Sequence, residues 1–95
     1  MEKDYIKVGV AIVVRKLGKI LLGKRLVEAG YGQWGLPGGH LEYGESMLVG
    51  AQRELFEETG IQTEELEFVN ITNDPREDRH YIHIVFSTGQ LGTGP

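Results

Sequence analysis

The order of patterned segments along this chain predicts an α+β domain with a mixed β-sheet. Two strand-like stretches come first, one amphipathic helix lies in the middle, and two further strand-like stretches follow. Apolar runs or two-residue alternation indicate strands, whereas apolar residues three and four positions apart indicate a helix. Elements in this order are typical of α+β architectures, and a length of 95 residues corresponds to one domain.

The first half of the chain predicts a hairpin followed by loops. Residues 5–14 are rich in β-branched side chains and almost continuously apolar, as in a buried strand. Residues 17–19 form a predicted turn, and residues 20–22 return as the second strand. Residues 27–33 are predicted to be a glycine-containing loop, and residues 36–39 a tight irregular segment that leads into the helix.

The helix is predicted from the residues at its two ends and from its apolar stripe. Glu45 or Ser46 begins it, since carboxylates are favoured where the helix dipole is positive. Thr59 and Gly60 end it, with the glycine just past the last turn. The apolar side chains that share one side of this helix are expected to face the core: Met47, Leu48, Ala51 and Leu55.

The second half of the chain predicts two strands joined by a polar turn. Residues 66–72 form the first strand, residues 73–79 the turn, and residues 80–87 the last strand. Alternation in the last strand places His80 and His83 on opposite faces, because successive side chains point to opposite sides of a sheet. These two histidines are therefore not expected to share a metal ion.

Glutamates are concentrated on one side of the predicted helix. Glu54 and Glu58 lie one turn apart, Glu57 lies beside them, and Arg53 is placed to pair with Glu57. Carboxylates at this density repel one another, and a divalent cation such as Mg²⁺, which takes oxygen ligands, would relieve the repulsion. A solvated acidic face is the alternative, but the preceding glycine loop and Glu45 favour the metal site.

Residues 39–61 resemble the Nudix box, the signature of the Nudix hydrolases. The matching residues occupy every fixed position of the signature: Gly39, Glu45, Arg53, Glu54, Leu55, Glu57, Glu58, Gly60 and Ile61. The resemblance extends over residues 8–86 and includes the segments ILLGKR, WGLPGGH and HYIHIVF. Within the family, this chain is most similar to the nucleoside-triphosphate-type pyrophosphohydrolases. It implies an α/β/α sandwich with a mixed β-sheet, here lacking the C-terminal strand and helix of family members.

The carboxylates and the resemblance together assign roles to the site residues. Glu54 and Glu58 are expected to bind Mg²⁺, for which Mn²⁺ could substitute, and the backbone carbonyl of Gly39 is expected to join them. Glu57 is a third ligand or the base that activates water, and Glu54 and Glu57 are thus the expected catalytic residues. Glu45 and Arg53 are expected to orient the others.

Four residues are expected to bind substrate, and each stands close to the box in sequence. Arg25 follows the LLGK stretch and is expected to contact phosphate, while Gly38, Gly39 and His40 line the approach to the helix. For Arg25 and for His40, a merely exposed side chain is the alternative interpretation.

Three functions are compatible with these residues. The first is Mg²⁺-dependent cleavage of a nucleoside triphosphate into monophosphate and pyrophosphate; base-modified nucleotides, deoxycytidine nucleotides and pterin triphosphates are candidates by resemblance. The second is hydrolysis of a nucleoside diphosphate linked to another group, such as ADP-ribose or a sugar nucleotide. The third is a nucleotide-binding Nudix module without turnover, which the intact box makes the least favoured.

Charge and composition limit the partners of this chain. A net charge of −4 argues against non-specific nucleic-acid and membrane binding, and the absence of cysteine fits a cytoplasmic protein. The longest apolar run is too short to span a membrane. We expect one Nudix domain over residues 1–95, for which C-terminal truncation, cover by another chain and a minimal fold are the alternatives. An uncovered sheet would favour either a homo-oligomer formed through the last strand, residues 81–86, or a marginally stable chain.

Overall fold

The computed structural model describes residues 5–24 and 34–89, which contain eight strands and one helix. In chain order these elements are β1 (Ile6–Val13), β2 (Arg15–Lys16), β3 (Lys19–Ile20), β4 (Gly23–Lys24), β5 (Trp34–Gly35), β6 (Gly38–His40), α1 (Met47–Thr59), β7 (Leu66–Pro75) and β8 (His80–Thr88). The predicted loop at residues 27–33 lies outside the described residues.

The central sheet has four strands in the order β6-β1-β8-β7. Strand β1 runs parallel to β8 and antiparallel to β6, and β7 is antiparallel to β8. The predicted mixed sheet is therefore confirmed. Two short antiparallel pairs, β2 with β3 and β4 with β5, lie outside this sheet.

The hydrophobic core lies between α1 and one face of the sheet. Its buried side chains come from β1, the residue after it, α1 and β8: Val10, Ile12, Val14, Ala51, Leu55, Ile84 and Phe86. The prediction that Met47 and Leu48 face this core is wrong, since they are 45% and 39% exposed. The buried side of the helix is formed by Gly50, Ala51 and Leu55, because α1 packs on β1 and β6.

The ends of α1 agree with the sequence prediction. Ser46 is the N-cap, and its hydroxyl accepts a hydrogen bond from the Val49 N–H at 3.1 Å, which satisfies a free donor of the first turn. Gly60 ends the helix in the left-handed region at φ 77°, and its N–H donates to the Phe56 carbonyl. Glycine adopts this conformation without the steric cost of a Cβ.

Three strand predictions were wrong in their bounds. The hairpin joins β2 to β3 through Leu17 and Gly18, both at positive φ, so its returning strand begins at Lys19, and the Leu21 N–H still donates to the Val14 carbonyl at 3.0 Å. Residues 38–40 form β6 instead of an irregular segment. Strand β7 continues through residues predicted as a turn, because Asp74 and Pro75 still pair with β8.

The last strand is an interior strand of the sheet. Strand β8 is hydrogen-bonded to β1 on one side and to β7 on the other. Edge-to-edge association through residues 81–86 is therefore excluded, because both edges of that strand are already paired, whereas the expected homo-oligomer stays a prediction. The outer strands of the sheet are β6 and β7, and no other strand of residues 5–24 and 34–89 pairs with their outer edges. Within the described part of the chain, no helix has the length and apolar character needed to cross a bilayer.

Candidate metal and substrate site

The glutamates of α1 meet the backbone of β6 at two glycines. The Gly38 N–H donates to the Glu58 carboxylate at 2.9 Å. A Cβ built on Gly39 would overlap the Glu54 carboxylate, which would then have to leave its present position. A Cβ on Gly38 would likewise overlap the Val10 carbonyl of the neighbouring strand. Strand β6 thus brings bare backbone against both carboxylates that were predicted to bind metal.

Arg53 is the centre of the glutamate network. Its guanidinium holds Glu45 with two hydrogen bonds, from Nε at 2.5 Å and from Nη2 at 3.0 Å. Nη1 donates to Glu54 at 2.9 Å and to Glu57 at 3.2 Å, and Nη2 also reaches the His40 carbonyl at 3.0 Å. A planar fork with five donors is suited to holding several oxygens in fixed directions. Arg53 therefore ties the helix to the end of β6.

The side chains of this network differ in exposure, and two of them have shifted pKa values. The side chains of Glu45 and Glu54 are 12% and 13% exposed, whereas that of Glu57 is 55% exposed. Hydrogen bonds from Arg53 and then from the Glu42 N–H lower the pKa of Glu45. Glu45 in turn raises the pKa of Arg53. Both groups are charged at neutral pH, so Glu45 holds Arg53 as a fixed cation.

The loop between β6 and α1 is closed by the same glutamate. The Glu42 N–H donates to the Glu45 carboxylate at 2.9 Å, and the Glu45 N–H donates back to the Glu42 carbonyl at 3.0 Å. Gly44 takes the positive φ of 83° that this turn requires. Glu45 thus links loop, helix and guanidinium, the contacts expected of an orienting residue.

The donor set is compatible with a hard divalent cation. In the described part of the chain, no three His, Asp or Glu side chains are placed to hold a metal ion together. Glu54 and Glu58 nevertheless lie against the Gly38–Gly39 backbone. Mg²⁺ commonly binds through one or two carboxylates together with substrate phosphates and water. These residues fit such a cation.

Aromatic rings line the opposite face of the sheet beside the same strand. His40 stacks on Tyr81 with ring centroids 5.9 Å apart, and Tyr81 stacks on His83 at 5.5 Å. Gly9 pairs with His40 on one side and with His83 on the other, so bare backbone lies between the two imidazoles. His83 contacts Asp74 at 3.3 Å. We call His40, Tyr81 and His83 the ring array.

The structure brings together most of the predicted site residues. For His40, the main chain and the side chain make contacts in different places. The main-chain carbonyl of His40 contacts Arg53, while its ring faces the opposite side of the sheet. Arg25 lies outside the described residues. His80 contacts Asn73 and not the ring array, as expected for a residue on the other face.

Sequence reasoning missed Tyr81 as part of a candidate site. The signal was present, because the two-residue spacing of Tyr81 and His83 places both rings on one face of a strand. The approach of His40 was not predictable, since it depends on the order of three strands in the sheet.

The fold and the carboxylate network define a protein of the Nudix class. The chain matches the family described as "NUDIX domain" over residues 5–95, and it therefore belongs to the Nudix family. The resemblance seen in the box is confirmed.

Curated and solved relatives agree with this assignment. The chain is 41% identical over 64 residues to the protein named "Phosphatase NudJ" of Escherichia coli strain K12, which covers 67% of this chain and 41% of that protein. The chain thus spans about two fifths of the length of the curated relative.

Two crystal structures share the fold. The MutT protein of Methanosarcina mazei Go1 is 31% identical with a TM-score of 0.82, over 93% of this chain and 66% of that one. The MutT NUDIX hydrolase of Burkholderia pseudomallei is 28% identical with a TM-score of 0.85, over 96% of this chain and 71% of that one.

Proposed function

We propose that this chain is a Mg²⁺-dependent hydrolase that cleaves a phosphoanhydride bond of a nucleoside triphosphate, giving a monophosphate and pyrophosphate. The observation that supports this most is the set of three carboxylates, Glu45, Glu54 and Glu57, held by the single guanidinium of Arg53, with Glu58 beside them on the Gly38 N–H. No other cationic side chain of the described residues forms an ion pair with these glutamates. The remaining negative charge favours a divalent cation.

Glu54, Glu58 and the Gly39 carbonyl would hold this cation. A divalent ion at this position would neutralise phosphate oxygens and lower the pKa of bound water. The family is one that uses divalent cations. Mg²⁺ is proposed because all of the donors are oxygens, and Mn²⁺ should substitute because it accepts the same ligands.

The remaining residues position these groups and move a proton. Arg53 and Glu45 hold the Glu54 carboxylate against β6. Glu57 is the exposed member and stands at the rim of the network, where it would be a third ligand or would take the proton from the attacking water. The oxygen of that water bonds to phosphorus as the bridging P–O bond breaks, and pyrophosphate leaves.

The nucleoside would lie against the ring array. A nucleobase has a flat π-face that stacks on aromatic side chains, and such stacking tolerates different bases. His40 supplies a ring to the array and a carbonyl to Arg53, so one residue connects both ends of a bound nucleotide. Gly38 and Gly39 would lie near the phosphates, and Arg25 is proposed as a phosphate contact on sequence grounds alone.

A panel of nucleotides with Mg²⁺ tests the proposal. The products from nucleoside triphosphates, nucleotide sugars and ADP-ribose are to be separated, and released pyrophosphate is to be scored against released phosphate. The proposal expects pyrophosphate from at least one triphosphate. The relative NudJ carries the name phosphatase. Release of phosphate without pyrophosphate would therefore contradict the proposed cleavage position. Turnover of nucleotide sugars or ADP-ribose alone would overturn the substrate class, and binding without turnover would overturn catalysis.

A further inference from the structure

The imidazole of His83 is held both at one edge and at one face of its ring. Its Nε2 contacts the Asp74 carboxylate at 3.3 Å, and the ring stacks on Tyr81 with the two planes 12° apart. Nε of Arg76 donates to both oxygens of Asp74 at 3.2 Å. Hydrogen bonds from Arg76 and then from His83 lower the pKa of Asp74, so this carboxylate is charged at neutral pH. The imidazole is therefore fixed between a ring and an anion.

The contact with Asp74 determines which nitrogen of His83 carries the proton. An ionised carboxylate can only accept hydrogen bonds, so Nε2 has to be the donor. In a neutral imidazole one nitrogen donates and the other accepts, which leaves Nδ1 as the acceptor. Within residues 5–24 and 34–89, no donor bonds to this Nδ1, and no buried side-chain nitrogen or oxygen lacks a partner. Nδ1 of His83 is thus an acceptor that a ligand can reach.

This acceptor lies above bare backbone of the central sheet. The register places Gly9 opposite His83 of β8 and opposite His40 of β6, so both imidazoles stand on the same face beside a residue without a side chain. A Cβ built on Gly9 would stand 3.6 Å from Nδ1 of His83, with no atom closer. The next residue of β1 on this face, Ala11, is also small. Strand β1 thus leaves space for a small group of a ligand within reach of Nδ1.

We propose that Asp74 is a positioning residue that keeps Nδ1 of His83 as a hydrogen-bond acceptor, and that this acceptor selects nucleotides whose base carries an amino group. The inference rests on the proposed function, in which the base lies against the ring array. The exocyclic amino group of cytosine or adenine can donate to Nδ1. Uracil and hypoxanthine carry a carbonyl oxygen in its place, so two acceptors would face each other and a hydrogen bond would be lost.

Rates for two matched pairs of nucleotides, measured at about pH 8 where an ordinary imidazole is neutral, test this preference. Cytidine and uridine triphosphates form one pair, and adenosine and inosine triphosphates form the other. The unmodified chain should have a kcat/KM about tenfold higher for the amino member of at least one pair. His83→Phe keeps a ring for stacking but has no acceptor, so the two members of that pair should come within about twofold of each other.

The outcomes of this panel separate the two proposals. Hydrolysis with equal kcat/KM for both members of both pairs overturns the amino preference and leaves the proposed function standing. A chain that hydrolyses none of the four contradicts the proposed function, and the dissociation constants of the same four nucleotides then decide whether the amino preference holds.

Two further variants distinguish an action of Asp74 through His83 from a merely structural one. In Asp74→Asn the amide can donate to Nε2, which favours the tautomer with its proton on Nδ1, so the amino preference should be lost or reversed. Arg76→Gln is the control, because it removes the other partner of Asp74 and leaves the contact with His83. It should keep the preference. Equal loss in both variants would overturn the proposed action through His83.

Nitrogen-15 chemical shifts of the His83 ring report the tautomer without any substrate. At about pH 8 the unmodified chain and Arg76→Gln should carry the proton on Nε2, and Asp74→Asn should shift it toward Nδ1. A proton on Nδ1 in the unmodified chain, or a tautomer that Asp74→Asn leaves unchanged, overturns the assignment of Asp74. This readout does not depend on hydrolysis.

Discussion

The two edges of the central sheet are built in opposite ways. At β6 the edge is three residues long, contains two glycines, and has its Gly38 N–H bonded to Glu58 of the helix. At β7 the edge is ten residues long and exposes apolar side chains. Among the described residues, the short edge is contacted by the charged side chains of α1, and the long edge has no strand beyond it. The difference is one of chemistry, because the first edge carries hydrogen-bonded carboxylates and the second carries exposed apolar side chains.

Removing a glutamate from the short edge should have the largest effect. Glu58→Gln keeps a good helix former and should lower turnover by roughly 10²-fold or more, as loss of a group acting in catalysis commonly does. The melting temperature should stay unchanged or rise, because one repelling charge is gone. Steady-state kinetics and thermal melts check both expectations, with the exposed loop residue Glu64→Gln as the control.

The opposite ranking would contradict this assignment. If Glu58→Gln keeps near-normal turnover while Glu45→Gln loses it, the division into metal ligands and orienting residues is wrong.

Adding a single methyl group to β6 should have the next largest effect. In Gly39→Ala the new Cβ overlaps the Glu54 carboxylate, which must move away from the strand. A displacement of about 1 Å in a catalytic group can cost about 10²-fold in rate, and we expect a loss of roughly tenfold to a hundredfold in kcat. Gly35→Ala is the matched control, because a Cβ there meets nothing within 4 Å. Equal activities of these two variants would show that the Gly39 contact is unimportant.

The ring array should affect substrate binding more than the chemical step. Tyr81→Ala removes the central ring, and base stacking is worth about 1–3 kcal/mol, so KM should rise by about tenfold while kcat changes little. Tyr81→Phe keeps the ring and should restore KM. Tyr5→Ala serves as a control on an exposed tyrosine. Unchanged KM in Tyr81→Ala would place the base elsewhere.

The smallest effect should be a pH dependence of stability. Because Arg53 lowers the pKa of Glu45 in the folded state, this carboxylate contributes stability above its ordinary value of 4.5, and the contribution is lost as the pH falls below it. The difference in melting temperature between the unmodified chain and Glu45→Gln should therefore be constant near neutral pH and narrow on acidification. If the difference in melting temperature widens on acidification, a group other than Glu45 determines the pH dependence of stability.

The sequence predicted the helix that carries the glutamates better than it predicted the sheet. Ser46 and Gly60 mark the helix ends through local hydrogen bonds, and the helical spacing of Glu54 and Glu58 follows from the turn length alone. The interior position of β8 could not be predicted, because strand order depends on contacts between segments distant in sequence. For the same reason the sequence could not show that Gly50 would replace Met47 and Leu48 on the buried side of α1.

The hydrogen-bond partners of individual residues could not be predicted from the sequence either. Arg53 was expected to pair with Glu57, which it does, but the tighter partner is Glu45, eight residues earlier. That contact depends on the loop of residues 41–46, whose turn is closed by Glu45 itself. Local patterns therefore located the charged groups, whereas the folded backbone decided which of them meet.

Binding of Mn²⁺ followed by electron paramagnetic resonance tests the central claim most directly. Mn²⁺ is to be titrated into the unmodified chain, into a variant with both Glu54→Gln and Glu58→Gln, and into Glu64→Gln, each with and without a nucleoside triphosphate. We predict one bound ion per chain, lost in the double variant and kept in Glu64→Gln, with hydrolysis abolished by a chelator and restored by Mg²⁺ or Mn²⁺. Equal Mn²⁺ binding by the double variant and the unmodified chain, or hydrolysis that persists in excess chelator, would contradict the account.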